Sequence, residues 1–349
     1  MAQEYPEVPV AQQKTSDDAR TANRLLEIDN LSIGFPTRTG MVRGIDDLSI
    51  AIGTHERVGL VGESGSGKSV MGLAMLGLIR PPGRVLAGDV KWSGRSMFDS
   101  KVAREVRGRE ISMIFQDPMV SLDPLMSIGS QLTEILRRRA GMGRTSARNR
   151  AVELLERVGI TPAKSRMKQY PFELSGGMRQ RVMIATALAG NPKLIIADEP
   201  TTGLDVTIQG QILQLLGEIS RDLGVSIVMI THDLGVVAEF CDRVQVLYGG
   251  RLVERAPVGP AFASPAHPYT RGLLGSMPRI DERSMGRLPS IPGDPLDRVV
   301  ESHGCAFAPR CADVEARCTH GDAPELLRIT GDRRWVSCWS AQNNEGVLR

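Results

Sequence analysis

No run of about 18 or more consecutive apolar residues occurs in the chain, so nothing in it reads as a membrane-crossing helix. The stretch from Met1 to Asn23 is polar and mixed in charge and lacks the apolar centre of a signal peptide. An excess of one charge is also lacking: 43 Lys and Arg stand against 40 Asp and Glu, a balance that argues against the footprint of a nucleic-acid binder. The local basic stretch Arg137, Arg138 and Arg139 is expected to be a solvated helix face. No internal repeat is visible, which excludes a tandem of two equivalent units. Cysteine is scarce and uneven: Cys241 stands alone, whereas Cys305, Cys311, Cys318 and Cys338 group near the end. In the intracellular chain that these absences suggest, disulfides among them are improbable.

What is present suffices for a folded core, since 41% of the 349 residues are hydrophobic. Residues 1–24 lack periodicity and are expected to form a flexible tail. From there Leu26, Ile28, Leu31 and Ile33, and then Leu48, Ile50 and Ile52, alternate as strands of an antiparallel sheet. Three apolar runs, Val58 to Val61, Leu194 to Ala197 and Val225 to Ile230, read as buried parallel strands, each followed by polar or glycine residues where ligands bind at strand ends. Over about residues 118–173 the spacing turns helical, with Ile128, Leu132, Ile135 and Leu136 on one face and Val152, Leu155 and Val158 on another. Beyond Pro257 prolines become frequent, which predicts irregular extended structure and a boundary near that point. Cys241 beside an apolar segment reads as core packing.

The most informative stretch is Gly62-Glu63-Ser64-Gly65-Ser66-Gly67-Lys68-Ser69, which fits G-x-x-x-x-G-K-[ST] between a strand and a helix, the context this phosphate loop requires. Glycines let successive backbone N–H groups converge on phosphate oxygens, Lys68 reaches the β- and γ-phosphates, and the Ser69 hydroxyl ligates Mg²⁺. Farther on, Leu194-Ile195-Ile196-Ala197 carries Asp198 and Glu199 to a strand end. A buried carboxylate there needs a cation, which assigns Asp198 to Mg²⁺ and leaves Glu199 to polarise the attacking water. His232 ends a third strand and is placed to orient the γ-phosphate or the water. A second glycine-bearing helix start, Leu174-Ser175-Gly176-Gly177-Met178-Arg179-Gln180, offers another phosphate-binding end far in sequence from Lys68.

Taken together, these segments resemble the ABC ATPases, with Ser175, Gly176 and Gly177 standing in the signature sequence that covers ATP bound by the opposite subunit. The resemblance spans roughly residues 26–255. It implies a P-loop α/β nucleotide-binding domain over residues 25–256, with an antiparallel β subdomain and the helical subdomain at about 118–173. It also implies Gln116 as the Q-loop glutamine touching Mg²⁺ and water, Asp205 as the D-loop aspartate, and Phe35 as the ring that stacks on adenine, although a core or hairpin role for Phe35 is equally open. Within that superfamily three stretches look like the oligopeptide/dipeptide/nickel importer family: Gln116 to Pro124, Ser264 to Thr270, and Leu288 to Gly293. Residues 257–349 then form its C-terminal extension. Departures are Asp123, where the family more often has asparagine, and Met178, where it has glutamine; neither removes a catalytic group.

The cysteine spacing C-x5-C-x6-C-x19-C does not match the paired C-x2-C knuckles of common zinc sites. The family resemblance implies a [4Fe–4S] cluster on Cys305, Cys311, Cys318 and Cys338, with zinc and free thiols as alternatives. The implied function is ATP binding and hydrolysis, with Glu199, His232, Gln116 and Lys68 catalytic, driving import of di- or oligopeptides or a related small solute, with nickel and opines also open. Partners implied are a second ATP-binding subunit in a head-to-tail dimer, two transmembrane permease subunits and, indirectly, an extracytoplasmic solute-binding protein, at the cytoplasmic face of the inner membrane. The rival readings are a soluble ABC ATPase acting on nucleic acid or ribosomes, which no tandem cassette or basic surface supports, and a module that holds ATP without turnover, disfavoured by Glu199 and His232.

Overall fold

A computed structural model describes residues 24–38, 40–277, 290–293, 304–329 and 333–347. The expected tail up to residue 23, and Leu288 and Pro289 of the third family stretch, lie outside them. The chain opens with β1 (Arg24–Thr37), β2 (Gly40–Gly53), β3 (Arg57–Val61), α1 (Lys68–Met75), β4 (Arg84–Trp92), β5 (Arg95–Ser96), α2 (Ser100–Val106) and β6 (Ile111–Ile114). Helices follow: α3 (Pro118–Ser121), α4 (Ile128–Ala140), α5 (Arg144–Arg157), α6 (Ala163–Arg166) and α7 (Gly176–Leu188). Next come β7 (Leu194–Asp198), α8 (Val206–Leu223), β8 (Ser226–Ile230), α9 (Leu234–Phe240), β9 (Arg243–Tyr248) and β10 (Arg251–Pro257). The last part holds α10 (Val258–Ala263), α11 (Pro268–Gly275), β11 (Leu327–Ile329), β12 (Arg334–Val336) and α12 (Trp339–Glu345).

Two sheets result. The antiparallel sheet runs β2-β1-β4-β5, and the larger one runs β11-β12-β10-β9-β3-β8-β7-β6, with its stretch from β9 to β6 parallel. In β1 the apolar spacing changes from two to three between Ile28 and Leu31. Asn30 there has a φ of 43° and the pairing with β2 slips, the mark of a bulge that turns both halves of the strand inward.

The parallel strands are buried on both faces, and alternate residues feed two separate cores. Leu194, Ile196, Val228, Ile230, Val58 and Leu60 face the cluster under α1 and the antiparallel sheet. Ile195, Ala197, Ile227, Met229 and Val61 face the cluster shared with α4, α5, α7 and α8. In the helical region Ile128, Leu132, Leu136, Leu155 and Val158 are buried as the spacing predicts, while Ile135 and Val152 are half-buried. Ser127 caps α4 by accepting from the Ser130 N–H, and Gly141 ends the helix in the left-handed conformation. Cys241 is buried in the larger core, as expected of a packing residue.

The proline-rich C-terminal part corrects the expectation of irregular extended structure. It forms α10 and α11, and β12 pairs with β10, so this segment lengthens the central sheet by two strands. Proline at the first position of α11 is compatible with the helix because the N–H it lacks would have no partner there.

Candidate active site

Four neighbouring parallel strands deliver the site residues from their carboxyl ends, the edge where open α/β sheets bind ligands. Leu60 in β3 and Asp198 in β7 are both level with Ile230 of β8, and Ile114 of β6 is level with Ala197. The residues just beyond, Gly62, Glu199, His232 and Gln116, are thereby brought to one edge.

The phosphate loop leaves β3 through Gly62, with φ 153°, and enters α1 through Gly67, with φ 103°. A Cβ on Gly62 would lie 2.2 Å from the Leu247 carbonyl oxygen, and one on Gly67 2.4 Å from that of Gly44, so only glycine fits at either position. Gly65, φ 82°, is needed for its conformation alone, having open space around it. Ser64, Gly65 and Ser69 face solvent, whereas Ser66 is buried and its hydroxyl has no hydrogen-bond partner. Lys68 is buried and donates to the carbonyl oxygens of Gly62, at 2.6 Å, and Glu63, at 2.9 Å. Burial pulls its pKa below the ordinary lysine value, against the opposing fields of Glu199, Asp198 and Glu63.

Asp198 ends β7 only 7% exposed, with its Oδ1 lacking any hydrogen-bond partner. Burial raises its pKa and Glu199 adds to the rise, while a bond from Ser69 and the field of Lys68 pull the other way. An orphaned carboxylate oxygen beside a serine hydroxyl is a hard oxygen donor set that fits Mg²⁺.

Glu199 follows with φ 46° and its N–H bonded to the Ile230 carbonyl, 2.8 Å, which turns its side chain across the strand ends. Gln116 Nε2 donates to Oε2 at 3.0 Å, Thr202 Oγ1 donates to the same oxygen at 2.9 Å, and His232 Nδ1 lies 3.0 Å from Oε1. Burial alone would raise this carboxyl, but the bonds from His232 and Thr202, with the fields of His232 and Lys68, prevail and hold it below the usual range. An ionised carboxylate with both oxygens oriented can polarise a water. Thr202 is a positioning residue that sequence reasoning missed; its place three residues after Glu199 was the available signal.

Ser175, Gly176 and Gly177 stand apart. Ser175 caps α7 by accepting from the Met178 N–H at 3.3 Å, and a Cβ on Gly177 would meet Ile208 at 2.7 Å. Among the described residues they make no hydrogen bond to the groups around Lys68. Asp205 caps α8, accepting from the Ile208 N–H at 3.0 Å, beside Val206, which is 86% exposed. Phe35 is half-buried near the end of β1. Its ring edge limits both Gly44 and Gly83, and the Gly44 carbonyl in turn abuts Gly67.

The C-terminal region touches the phosphate loop directly. The Tyr269 hydroxyl accepts from the Glu63 N–H at 2.8 Å, and Arg310 donates to both Glu63 carboxylate oxygens, at 2.6 and 3.1 Å. Neither contact was foreseen. Cys305, Cys311, Cys318 and Cys338 all line one small cavity together with His267 and Phe307, and none is in a disulfide. Burial pushes the Cys305 thiol up to about 11 and raises those of Cys311 and Cys338. Among the described residues no group of three or more His, Cys, Asp or Glu is spaced to hold a single metal ion.

Residues 45–202 match the ABC transporter family, and residues 253–318 match the oligopeptide/dipeptide transporter C-terminal region. The oligopeptide transport ATP-binding protein OppD of Bacillus subtilis is 46% identical over 319 residues, 90% of this chain and 88% of that protein. The protein of the same name in Salmonella typhimurium is 46% identical over 314 residues, 89% and 92% of the two chains. Among solved structures, the dimeric post-hydrolysis state of the ATP-binding cassette MJ0796 with ADP and Pi superposes with a TM-score of 0.60 at 28% identity, covering 67% of this chain and 98% of that one.

Proposed function

Because the chain belongs to the ABC transporter ATP-binding family, in its oligopeptide/dipeptide branch, we propose that it hydrolyses ATP to drive peptide uptake through a membrane permease. The observation that carries this reading is the Glu199 carboxylate, oriented by Gln116, Thr202 and His232 beside Lys68 and Asp198. Lys68 and the loop N–H groups bind the phosphates; Ser69 and Asp198, with Gln116, would hold Mg²⁺, which would supply charge neutralisation at the phosphates. Glu199 accepts the proton of the attacking water while His232 and Gln116 orient it. Phe35 stacks on adenine.

Ser175 to Gly177 act on the nucleotide of a second ATP-binding subunit. The capped, glycine-led start of α7, separate from its own phosphate loop, supports that reading, as does exposed Val206 beside Asp205. One chain would then contribute two half-sites, and ATP would join them. In the stretch around Gln116, Val120 and Leu125 are 83% and 86% exposed, and Phe115 and Met119 are exposed as well. That apolar surface suits a cytoplasmic loop of the permease and supports a peripheral site at the inner face of the membrane; among the described residues no helix is long and apolar enough to cross it. A solute-binding protein outside would select the peptide. Residues 25–256 form the nucleotide-binding domain and residues 257–349 its extension.

The four thiols around one cavity support an iron–sulfur cluster as the structural staple of that extension.

The test is hydrolysis by the purified chain with its partner ATPase, with and without the co-encoded permease. The permease should bind and stimulate turnover. A permease that neither binds nor stimulates would overturn the transporter reading.

A further inference from the structure

Glu63 is the first residue after Gly62 in the phosphate loop, and every polar group it owns is held. Its carbonyl accepts from Lys68 at 2.9 Å, its N–H donates to Tyr269, and its carboxylate is paired at both oxygens with Arg310. The last two partners lie 206 and 247 residues away, in the C-terminal extension. Arg310 is itself fixed: its side chain is 5% exposed, its Nε donates to the Pro292 carbonyl at 2.9 Å, and its guanidinium lies over the Tyr248 ring. Tyr269 is fully buried in a ring cluster with Tyr248, 4.6 Å between centroids, and Phe307, 5.4 Å.

A negative side chain at the mouth of a loop built for polyphosphate is an electrostatic liability. Without a cation of its own, the Glu63 carboxylate would compete for Lys68 and repel the nucleotide across a partly buried site. When Lys68 turns from the loop carbonyls to the phosphates, the Glu63 carbonyl keeps only the Ser66 N–H, at 3.2 Å. We propose that Tyr269 and Arg310 are positioning residues of the ATP site. Arg310 neutralises Glu63 and Tyr269 pins its backbone, so the C-terminal extension builds the phosphate loop in the same chain. The inference rests on the reading of that loop as the ATP site and assigns the extension a part in it.

The test is the ATP dissociation constant of the full chain by calorimetry, with KM and kcat beside it. Tyr269→Phe removes one oxygen and should raise Kd and KM about fivefold, the share of one hydrogen bond, with kcat within about twofold. Arg310→Met should raise Kd about tenfold, since a charge-assisted pair is the stronger contact, and Arg310→Lys should recover most of the loss. In a Glu63→Gln background, where no charge needs neutralising, Arg310→Met should change Kd by less than about twofold. Equal losses in both backgrounds, or wild-type Kd in both Tyr269→Phe and Arg310→Met, would overturn the proposal. Lys68→Ala separates the two levels. If it abolishes ATP binding while Tyr269 and Arg310 variants bind normally, the inference falls and the ATP site stands; if it binds as wild type, the phosphate-loop reading itself is wrong and the inference falls with it.

Discussion

Replacing Glu199 by glutamine isolates the chemical step from the architecture that supports it. Oε2 accepts two hydrogen bonds, from Gln116 and Thr202, and a glutamine carbonyl in that place keeps both. Its amide nitrogen then faces His232 Nδ1, which accepts in the tautomer protonated on the other nitrogen. The shape and bonding of the site survive, so thermal stability should move by no more than about 1–2 °C, the equivalent of roughly 1 kcal/mol in a chain of this size. What disappears is the proton acceptor. A positioned general base contributes about 10²–10⁴-fold, which is roughly 2.7–5.4 kcal/mol of barrier. Single-turnover and steady-state hydrolysis should fall by that factor, while ATP affinity holds or tightens because one negative charge has left the neighbourhood of the phosphates. The variant should then elute as an ATP-bound dimer in size exclusion. Retention of more than about a tenth of wild-type turnover would refute the assignment of Glu199 as base.

Asp198→Asn should abolish Mg²⁺-dependent hydrolysis yet raise the melting temperature of the nucleotide-free chain. The folded pKa of Asp198 is raised, so its contribution to stability is present below the unfolded value and lost as pH rises through the folded one; at neutral pH the buried charge is a burden that asparagine removes. Glu199 behaves oppositely, its lowered pKa giving stability present above the unfolded value and lost only as pH falls through the folded one, so the acid limb of kcat should lie below the usual carboxylate range. Phe35→Ala should raise the KM for ATP about tenfold, with Phe35→Tyr close to wild type; a drop in melting temperature with unchanged KM would make the ring a packing residue only. Anaerobically purified protein should absorb broadly in the visible range and carry iron, both lost in Cys318→Ser; a colourless, iron-free wild type would contradict the cluster.

The parts of the site that were legible in sequence are those made by short contiguous stretches. Gly62 to Ser69 dictates its own loop, because two of its glycines are demanded by backbone approaches within a few ångströms, and the apolar run before Asp198 announces a buried strand end. The antiparallel sheet was legible through Leu26 and Ile28, and the bulge at Asn30 explains why the alternation slips before Leu31. What could not be read was made by long-range pairing. The strand Arg334–Val336 is three residues long, too short for any periodicity, and it becomes a strand through pairing with β10 and β11 on its two sides. Arg310 reads as one arginine among many until the fold carries it to Glu63. The four cysteines, irregular in spacing, meet at one cavity, beside His267 and Phe307, only once the chain is folded.

If hydrolysis in this chain drives peptide uptake, transport itself is the measurement to make. The chain would be reconstituted with its permease, second ATPase and solute-binding protein in vesicles, and ATP-dependent movement of a radiolabelled oligopeptide followed alongside phosphate release. Uptake should rise with hydrolysis and vanish, together with hydrolysis, in Glu199→Gln. Peptide movement at the same rate in that variant, or wild-type hydrolysis indifferent to permease and peptide, would contradict it.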